Sequence, residues 1–402
     1  MEENPRLRAL EMIPVRQGGR EMILLRDPEG IMEKPLLISR ELAYVLLLMD
    51  GTRSLRDIQV EYMRAFGELI YGEKLAEVVS TLDEYYLLIN LRYENYLAKL
   101  RDAYEKETLR PPAWAGKSYP LKQEELLSFL GELFAPTESR GIPSVNIHGL
   151  LSPHIDYIRG KEVYREVYPF LKDKKGCLFV IFGTSHLPLG RLWAISLKDF
   201  ATPLGRVHVP EELKEIVFSS PLNAYVDEWP HRREHSIELQ LPLIQYMLGE
   251  DFFILPILAG GMDAFVSGER REGDSEIEEL LGLLKACLLK YGRPFIVLSG
   301  ADFAHIGIEF GDPYPAEGWR LDSSRRRDEM LLGFVERCDA EGFLGLVREE
   351  KNCRRICGLS SIYFQLKLMG GMRGEVVAYK QWADGGSSVS FAGAVFYSKK
   401  ER

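Results

Sequence analysis

The 402-residue sequence has few cysteines, no long apolar run and no excess of positive charge. Five cysteines are an odd number in a long chain, which excludes a dense disulfide framework and predicts a reducing compartment. No stretch approaches the roughly 18 apolar residues of a membrane span. Lysine and arginine number 51 against 60 acidic residues, and the net charge of -9 opposes sequence-independent attraction to nucleic acid. We therefore expect a cytoplasmic protein with neither nucleic acid nor a membrane as partner.

The composition that is present belongs to a folded chain. Hydrophobic residues make up 46% and charged residues 28%, far from the signature of disorder. At roughly 150 residues per domain, the length suggests two or three domains. The stretch from Leu97 to Tyr119 is charged and then rich in proline, glycine and aromatic residues, which is typical of a linker. We predict one domain over residues 1–107 and a second over residues 108–402.

The pattern of residues 1–107 indicates a small winged-helix-like α+β domain. The predicted elements, in order, are an extended segment Met22–Arg26, helices over Glu41–Met49, from Ser54 onwards and over Glu73–Tyr85, and an extended segment Tyr86–Tyr93. Ser54 with Asp57 three residues on is typical of a capping box. Winged helices often read DNA, but acidic residues outnumber basic ones four to one between Gly72 and Tyr86. DNA reading is therefore disfavoured, and a capping role for this domain stays open.

The second domain is predicted to be α/β with a largely parallel sheet. Four continuous apolar runs, typical of strands buried on both faces, recur at Val145–Leu151, Cys177–Phe182, Phe252–Leu258 and Phe295–Leu298. At the end of the chain, Val376–Trp382 and Val389–Tyr397 flank a turn-forming segment and predict an antiparallel hairpin.

Ionisable residues follow three of these runs directly. His154 and Asp156 come after the first run, His186 after the second, and Asp302 with His305 after the last. Ligands of open α/β sheets bind outside the carboxyl ends of the strands, so we expect these loops to converge. Any one histidine alone is more often a hydrogen-bonded loop residue than a ligand.

Two further residues extend this candidate site. His235 opens a predicted amphipathic helix with Glu238 one turn on, which suits an acid or base with a carboxylate on the same face. Cys357 precedes an apolar helix, whose N-terminus should lower the thiol pKa and favour a thiolate that binds metal or attacks carbon. A buried apolar role for Cys357 is equally open, and Cys353 with Cys357 lacks the spacing of a structural zinc site.

Seven segments of the second domain together resemble the Memo family, also called protein B of the AmmeMemoRadiSam system. They are Ala115-Gly116, Ser152-Pro153-His154, Gly183-Thr184-Ser185-His186, Glu234-His235-Ser236-Ile237-Glu238, Asp302-Phe303 with His305, Ile356-Cys357-Gly358 and Ser388-Val389-Ser390. The resemblance spans about residues 112 to 398. It implies a fold like that of the class III extradiol dioxygenases, which open aromatic rings with non-haem iron.

The resemblance also implies a metal site. It makes His154, His186 and Cys357 the metal ligands, with Fe(II) as the expected ion and copper or zinc as alternatives. It places His235, His305 and Asp302 in catalytic roles, and Asp156, Ser185, Glu238 and Ser388 in the surrounding pocket. Two histidines with one cysteine depart from the dioxygenase set of two histidines and a carboxylate, which puts ring opening in doubt. Asp156 stands where the family pattern differs and is a candidate additional ligand.

The first domain is similar to PqqD-type peptide-recognition domains in its order of elements and in the segment Leu46–Gly51. Together the two resemblances imply a metal-dependent oxidoreductase that acts on a peptide, protein or small molecule. The implied partners are a radical SAM enzyme and an AMMECR-type protein. Two alternatives stay open: a non-catalytic adaptor that binds metal or peptide in a dioxygenase-like cleft, and a hydrolase with Cys357 as nucleophile.

Overall fold

The computed structural model of the chain describes residues 4–32, 34–135, 146–270 and 275–398. Contacts between residues concentrate in two units, Met1–Lys106 and Glu107–Arg402. No helix in the described part of the chain is long and apolar enough to cross a membrane.

The first unit is a small antiparallel sheet followed by helices. Its elements are β1 (Glu11–Gln17), β2 (Arg20–Arg26), β3 (Leu36–Ser39), α1 (Arg40–Leu48), α2 (Leu55–Phe66), α3 (Gly72–Glu84) and α4 (Leu91–Lys106). The strands pair antiparallel in the order β1-β2-β3. The predicted capping box of α2 is confirmed: the Ser54 side chain accepts from the Asp57 backbone, and the Asp57 carboxylate accepts from the Ser54 backbone.

One prediction for the first unit is wrong. Within the predicted extended segment Tyr86–Tyr93, Leu88 forms an isolated bridge with Leu7, and α4 begins at Leu91 and extends through much of the predicted linker. Asn90 explains the helix start, because its side chain accepts a hydrogen bond from the backbone nitrogen of Tyr93. The description of this unit as winged-helix-like and PqqD-type stays a prediction.

The second unit is an α/β domain. Its strands are β4 (Leu109–Arg110), β5 (Ile147–Ser152), β6 (Leu178–Thr184), β7 (Trp193–Ile195), β8 (Asp199–Thr202), β9 (Gly205–Val207), β10 (Phe253–Ala259), β11 (Phe295–Gly300), β12 (His305–Gly307), β13 (Arg373–Ala383) and β14 (Ser387–Tyr397). Its α-helices are α5 (Gln123–Leu133), α6 (Lys161–Val167), α7 (Glu211–Phe218), α8 (His235–Glu238), α9 (Gln240–Leu248), α10 (Asp263–Ser267), α11 (Ser275–Tyr291), α12 (Trp319–Arg337), α13 (Ala340–Glu349) and α14 (Leu359–Leu368).

The main sheet has a parallel centre and antiparallel edges. Its strand order is β12-β14-β5-β11-β6-β10-β7, with β13 paired to β14. The four central strands β5, β11, β6 and β10 are parallel neighbours, and they are the four apolar runs of the sequence. Val145, the first residue of the first predicted run, lies outside the described residues. The predicted α/β class and the C-terminal hairpin of β13 and β14 are confirmed.

Burial on both faces explains why the central strands show no alternation of polar and apolar residues. Every residue of β6 is buried, and both α8 and α14 pack on it. At Gly183 of β6 an added Cβ would lie 2.5 Å from the Ile237 side chain, so glycine permits this close approach of helix and strand.

The strand register brings the candidate loops together. Gly300 of β11 pairs with Ser152 of β5 and with Gly183 of β6, so the carboxyl ends of these three neighbouring strands are level. The loop after β5 carries His154, the loop after β11 carries Asp302, and the loop after β6 carries His186. The helix predicted to begin at His235 is two helices, α8 and α9, separated at Leu239.

Candidate metal centre

Three histidines meet at the carboxyl edge of the sheet. One nitrogen from each of His154, His186 and His235 lies within 4.8 Å of the others, a spacing that could hold a metal ion. The rings of His186 and His235 are nearly stacked at 4.5 Å between centroids, and His154 stands edge-on to both at 5.1 Å. The sequence analysis gave His235 a catalytic role, whereas the structure places it with His154 and His186.

Hydrogen bonds determine which nitrogen of His154 faces the cluster. Its Nδ1 lies 3.0 Å from the carbonyl oxygen of Gly300, which can only accept. The proton therefore sits on Nδ1, and Nε2 carries the lone pair that a metal needs. The backbone nitrogen of His154 donates to Asp302 Oδ1 at 3.0 Å, which fixes the start of the loop.

A single carboxylate holds the other two histidines. Glu234 accepts from the Nδ1 of His186 at 3.0 Å and lies 3.2 Å from the Nδ1 of His235. The same carboxylate accepts from the backbone nitrogens of His186, His235 and Ser236, capping the short helix α8. All three Nδ1 atoms are thus engaged by protein oxygens, which leaves the three Nε2 atoms for an ion.

The electrostatics differ between the two sides of the cluster. Burial lowers the pKa of His154 well below its usual value, and His186 and His235 lower it further. Burial also lowers the pKa of His186, but the Glu234 carboxylate and Cys357 outweigh it, so the pKa lies well above its usual value. Burial raises the pKa of Glu234, yet the neighbouring histidines hold it well below its usual value. Glu234 therefore acts as an ionised acceptor.

Cys357 lies directly beside the histidines. Its Sγ is 3.3 Å from His154 Nε2 and 3.7 Å from the carbonyl oxygen of Asp302. The expectation of a lowered thiol pKa is wrong, because burial raises the pKa of Cys357 and His186 offsets this only in part. Among the described residues, the group of side chains that could share one ion comprises the three histidines without Cys357, so the expectation that Cys357 is a ligand stays a prediction.

Of the two remaining catalytic candidates, Asp302 is buried and His305 is half-buried. Asp302 Oδ2 lies 3.7 Å from His154 Nε2, and burial raises the pKa of Asp302 to about 7. His305 begins β12, its Nδ1 lies 3.1 Å from the carbonyl oxygen of Phe303, and burial lowers the pKa of His305 to about 4. In the described chain His305 is outside the group of nitrogens that could share one ion.

A buried ion pair braces the loop that carries Glu234 and His235. Arg110 and Glu238 are both fully buried and hydrogen-bonded to each other. Arg110 also donates to the backbone oxygens of His231 at 3.0 Å and Glu234 at 2.8 Å. The Glu238 carboxylate further accepts from the backbone of Ala113 and Trp114 and from the Tyr119 hydroxyl. The Glu238 carboxylate is thus hydrogen-bonded by residues of the Arg110–Tyr119 segment.

The other pocket candidates have local partners. The Asp156 carboxylate accepts from the backbone nitrogens of Ile158 and Arg159 and pairs with the Arg159 side chain at 3.1 Å. The Ser185 hydroxyl donates to the Leu187 carbonyl at 2.7 Å. Ser388 is buried in β14 opposite Ile306 of β12.

The site is open on one side. The side chain of His154 is 3% exposed, that of His235 23% and that of His186 42%. The half-buried Trp114 ring packs at 5.1 Å on His235, and its Nε1 donates to the Arg233 carbonyl. A ligand would therefore reach the cluster past His186 and His235, with Trp114 at the border.

Sequence reasoning missed Glu234, Arg110 and Trp114. Glu234 could have been found, because an acidic residue directly before a candidate histidine at a helix start is a typical capping arrangement. Arg110 gave no local signal, since its partner Glu238 is 128 residues away along the chain.

The donor set fits a transition-metal ion. Three imidazoles with free Nε2 atoms and one adjacent thiol are ligands that suit zinc, copper and iron. Hydrogen bonds to Nδ1 are the usual support of a metal-binding histidine. The structure thus contains a candidate three-histidine metal site with Cys357 at its edge, and the identity of the metal is not determined by these residues.

Comparison with known proteins gives one consistent family. The sequence profile described as "Memo-like protein" matches residues 110–395. The chain is 31% identical over 383 residues to a MEMO1 family protein of Aquifex aeolicus, covering 94% of this chain and 96% of that protein. That match is long enough to include most of the first unit.

Two archaeal relatives match a shorter stretch. A MEMO1 family protein of Pyrococcus abyssi is 37% identical over 285 residues, and one of Methanosarcina barkeri is 31% identical over 277 residues. Each match covers 67% of this chain and 92% of the relative. A match of this length is shorter than the second unit, Glu107–Arg402.

Proposed function

The chain belongs to the Memo family, and from this premise we propose that its second unit is a metal-dependent oxidoreductase with non-haem iron as the expected ion. The observation that carries the proposal is the convergence of His154, His186 and His235 with all three Nδ1 atoms engaged by protein oxygens. This arrangement fixes three imidazoles through Nδ1, with Cys357 Sγ beside the Nε2 of His154, which a structural histidine cluster has no need to do.

Each residue then has a defined task. His154, His186 and His235 would hold the ion through Nε2, and Cys357 would add a softer donor. A bound ion of this kind supplies Lewis acidity and, for iron or copper, one-electron chemistry. Glu234 orients two of the imidazoles, and Asp302 is placed to hold or release a proton at Oδ2, 3.7 Å from His154 Nε2. His305 is the second candidate for proton transfer.

Metal content of anaerobically purified protein tests the proposal. We expect about one iron per chain in the wild type and a large loss in both His186→Ala and Cys357→Ala, since each removes a donor. His208→Ala is the matched control, because His208 also pairs with a carboxylate, Asp199, but stands apart from the cluster. Finding copper or zinc in place of iron would correct the identity of the ion but would still support the metal site. Absence of all three metals from every preparation would overturn the proposal.

Turnover distinguishes an enzyme from an adaptor. The metal-loaded protein, incubated with O₂ and either a peptide pool or a set of aromatic acids, should produce an O₂-dependent mass change that His235→Ala abolishes. Metal binding without any such change would favour the non-catalytic adaptor. A cavity of about 370 Å³ in the first unit, bordered by the exposed side chains of Leu69 and Tyr71, supports a peptide as the partner of that unit.

The hydrolase alternative has less support. Burial raises the pKa of Cys357, so the thiol is a poor nucleophile at neutral pH, whereas Cys353 is exposed. Under this alternative iodoacetamide would modify Cys357 before Cys353, and chelators would leave turnover unchanged. We expect the reverse order of modification. The radical SAM enzyme and the AMMECR-type protein stay proposed partners, testable by co-purification with the tagged chain.

A further inference from the structure

A groove of about 520 Å³ lies in the second unit. Its lining includes Tyr314, Trp319, Arg320, Glu350 and Arg354. Its volume falls within the range of about 300 to 1,000 Å³ that small-molecule sites occupy.

Two of the lining aromatic rings face solvent. Trp319 is 71% exposed and Tyr314 is 58% exposed, which is far more than packing requires of such large side chains. The Arg320 guanidinium lies 4.7 Å from the Tyr314 ring centre and 5.1 Å from that of Trp319. Contact with both rings holds the guanidinium in a defined plane at the rim of the groove.

Arg320 supplies the available positive charge of the groove. The other lining arginines are neutralised: Arg354 pairs with Asp328 and Glu350, and Arg327 pairs with Glu349 and Glu350. Asp312 is engaged by Arg355 at 2.7 Å and by the backbone of Gly307, and despite burial these groups together with the more distant charge of Arg320 hold the pKa of Asp312 below its usual value. Across the described ranges of the chain, no carboxylate oxygen lies within the 4.0 Å ion-pair distance of Arg320.

The walls of the groove continue into the site. Ile306 and Gly307 line the groove and directly follow His305 in β12. Cys353 and Arg354 line it as well, a few residues before Cys357. The backbone nitrogen of His305 donates to the carbonyl of Arg354 at 2.7 Å, which joins the two walls. A molecule in the groove would therefore lie against the segments that carry two site residues.

We propose that this groove binds a small aromatic carboxylate. The carboxylate pairs with the fork of Arg320, which makes no ion pair within 4.0 Å in the described part of the chain, and the ring stacks on Trp319. The limited volume, with Arg320 as the one lining arginine outside an ion pair in the described ranges, favours a small monoanion over an extended acidic partner. As a statement about the substrate the inference rests on the proposed function, whereas the binding itself needs no metal.

Fluorine NMR of protein labelled with 5-fluorotryptophan tests the inference. The chain has five tryptophans, and the Trp319 signal is identified by its loss in Trp319→Phe. The probes are indole-3-acetate and its neutral amide, indole-3-acetamide. We expect the acid to shift the Trp319 signal saturably and the amide to bind about tenfold more weakly, since it lacks the charge-assisted contact. Arg320→Gln should abolish this difference.

Matched variants separate the alternatives. Arg326→Gln removes an exposed arginine from the same helix and should keep the preference for the acid. His186→Ala should also keep it, so that loss of metal and loss of binding are told apart. Equal affinity for acid and amide, no shift of Trp319, or equal loss in Arg326→Gln would overturn the inference. A Trp319 signal that moves only on dilution of the protein would also overturn it, because a second copy would then cover the groove.

Discussion

The two halves of the candidate metal centre hold histidines in opposite ways. The inner half comprises the buried His154 and Asp302 and the half-buried Cys357, and the Nδ1 of His154 donates to a neutral carbonyl. The outer half, comprising His186, His235 and Glu234, is partly open, and the Nδ1 of His186 donates to a carboxylate. The pKa of His154 accordingly falls below its usual value, while the pKa of His186 rises above it. Burial and the two neighbouring histidines lower the pKa of His154, whereas at His186 the Glu234 carboxylate and Cys357 outweigh burial.

The halves also differ in how the protein anchors them. The inner half follows strands β5 and β11 of the sheet, so the sheet itself positions it. The outer half depends on Glu234 and on the buried pair of Arg110 and Glu238 behind it. We therefore expect the outer half to be the more sensitive to single substitutions distant from the ion.

Removal of Arg110 should have the largest effect on this comparison. Arg110→Met leaves Glu238 buried without its cation and should lower the free energy of unfolding by about 3–5 kcal/mol. Urea unfolding of the chain measures it. Arg206→Met removes an arginine whose side chain is 48% exposed and should change stability by less than about 1 kcal/mol. A loss in Arg110→Met no greater than in this control would contradict the bracing role of the buried pair.

If Arg110→Met does not fold, Arg110→Lys provides the same comparison. Lysine keeps the positive charge but lacks the fork that reaches Glu238 and two backbone oxygens at once. We expect an intermediate loss of stability, together with weaker metal binding, since the Glu234 loop is less constrained. Wild-type metal binding in this variant would show that the outer half does not need the brace.

Neutralisation of the carboxylate in each half sharpens the comparison. Glu234→Gln should weaken zinc binding about 10- to 100-fold, since two imidazoles lose their ionised acceptor. Asp302→Asn should have a smaller effect, because an amide oxygen can still accept from the His154 backbone. Competition with a chromophoric chelator gives both affinities. The reverse order of effects would mean that the inner carboxylate, not Glu234, supports the ligands.

The pH dependence of stability should report the smallest effect, at His231 beneath the outer half. Burial lowers the pKa of His231 from 6.5 to about 3, and its Nδ1 has no hydrogen-bond partner in the described structure. The unfolded chain binds the proton more readily, so this stability is present above about pH 6.5 and is lost as the pH falls towards 3. Between pH 8 and pH 5 the wild type should lose about 2 kcal/mol more than His231→Gln in urea unfolding. An equal loss of stability between pH 8 and pH 5 in the wild type and in His231→Gln would refute the assignment of this pH dependence to His231.

The sequence patterns that proved reliable are local ones. Apolar runs located the four central strands, and Ser54 with Asp57 located the start of α2. Patterns failed where a neighbour in space decides the outcome. The helix N-terminus at Cys357 suggested a lowered thiol pKa, but desolvation by the surrounding core raises it. The segment after Tyr86 looked extended, but the Asn90 cap starts a helix there.

By itself the sequence determined the α/β class, the family resemblance and the strand-end positions of His154, His186 and Asp302, because hydrophobic burial leaves a readable pattern along the chain. Only the tertiary structure decided that β11 lies between β5 and β6 and that Glu234 serves two histidines. It also decided that Arg110 reaches Glu238 across 128 residues. These outcomes depend on strand order and on hydrogen bonds between distant segments, which no local periodicity encodes.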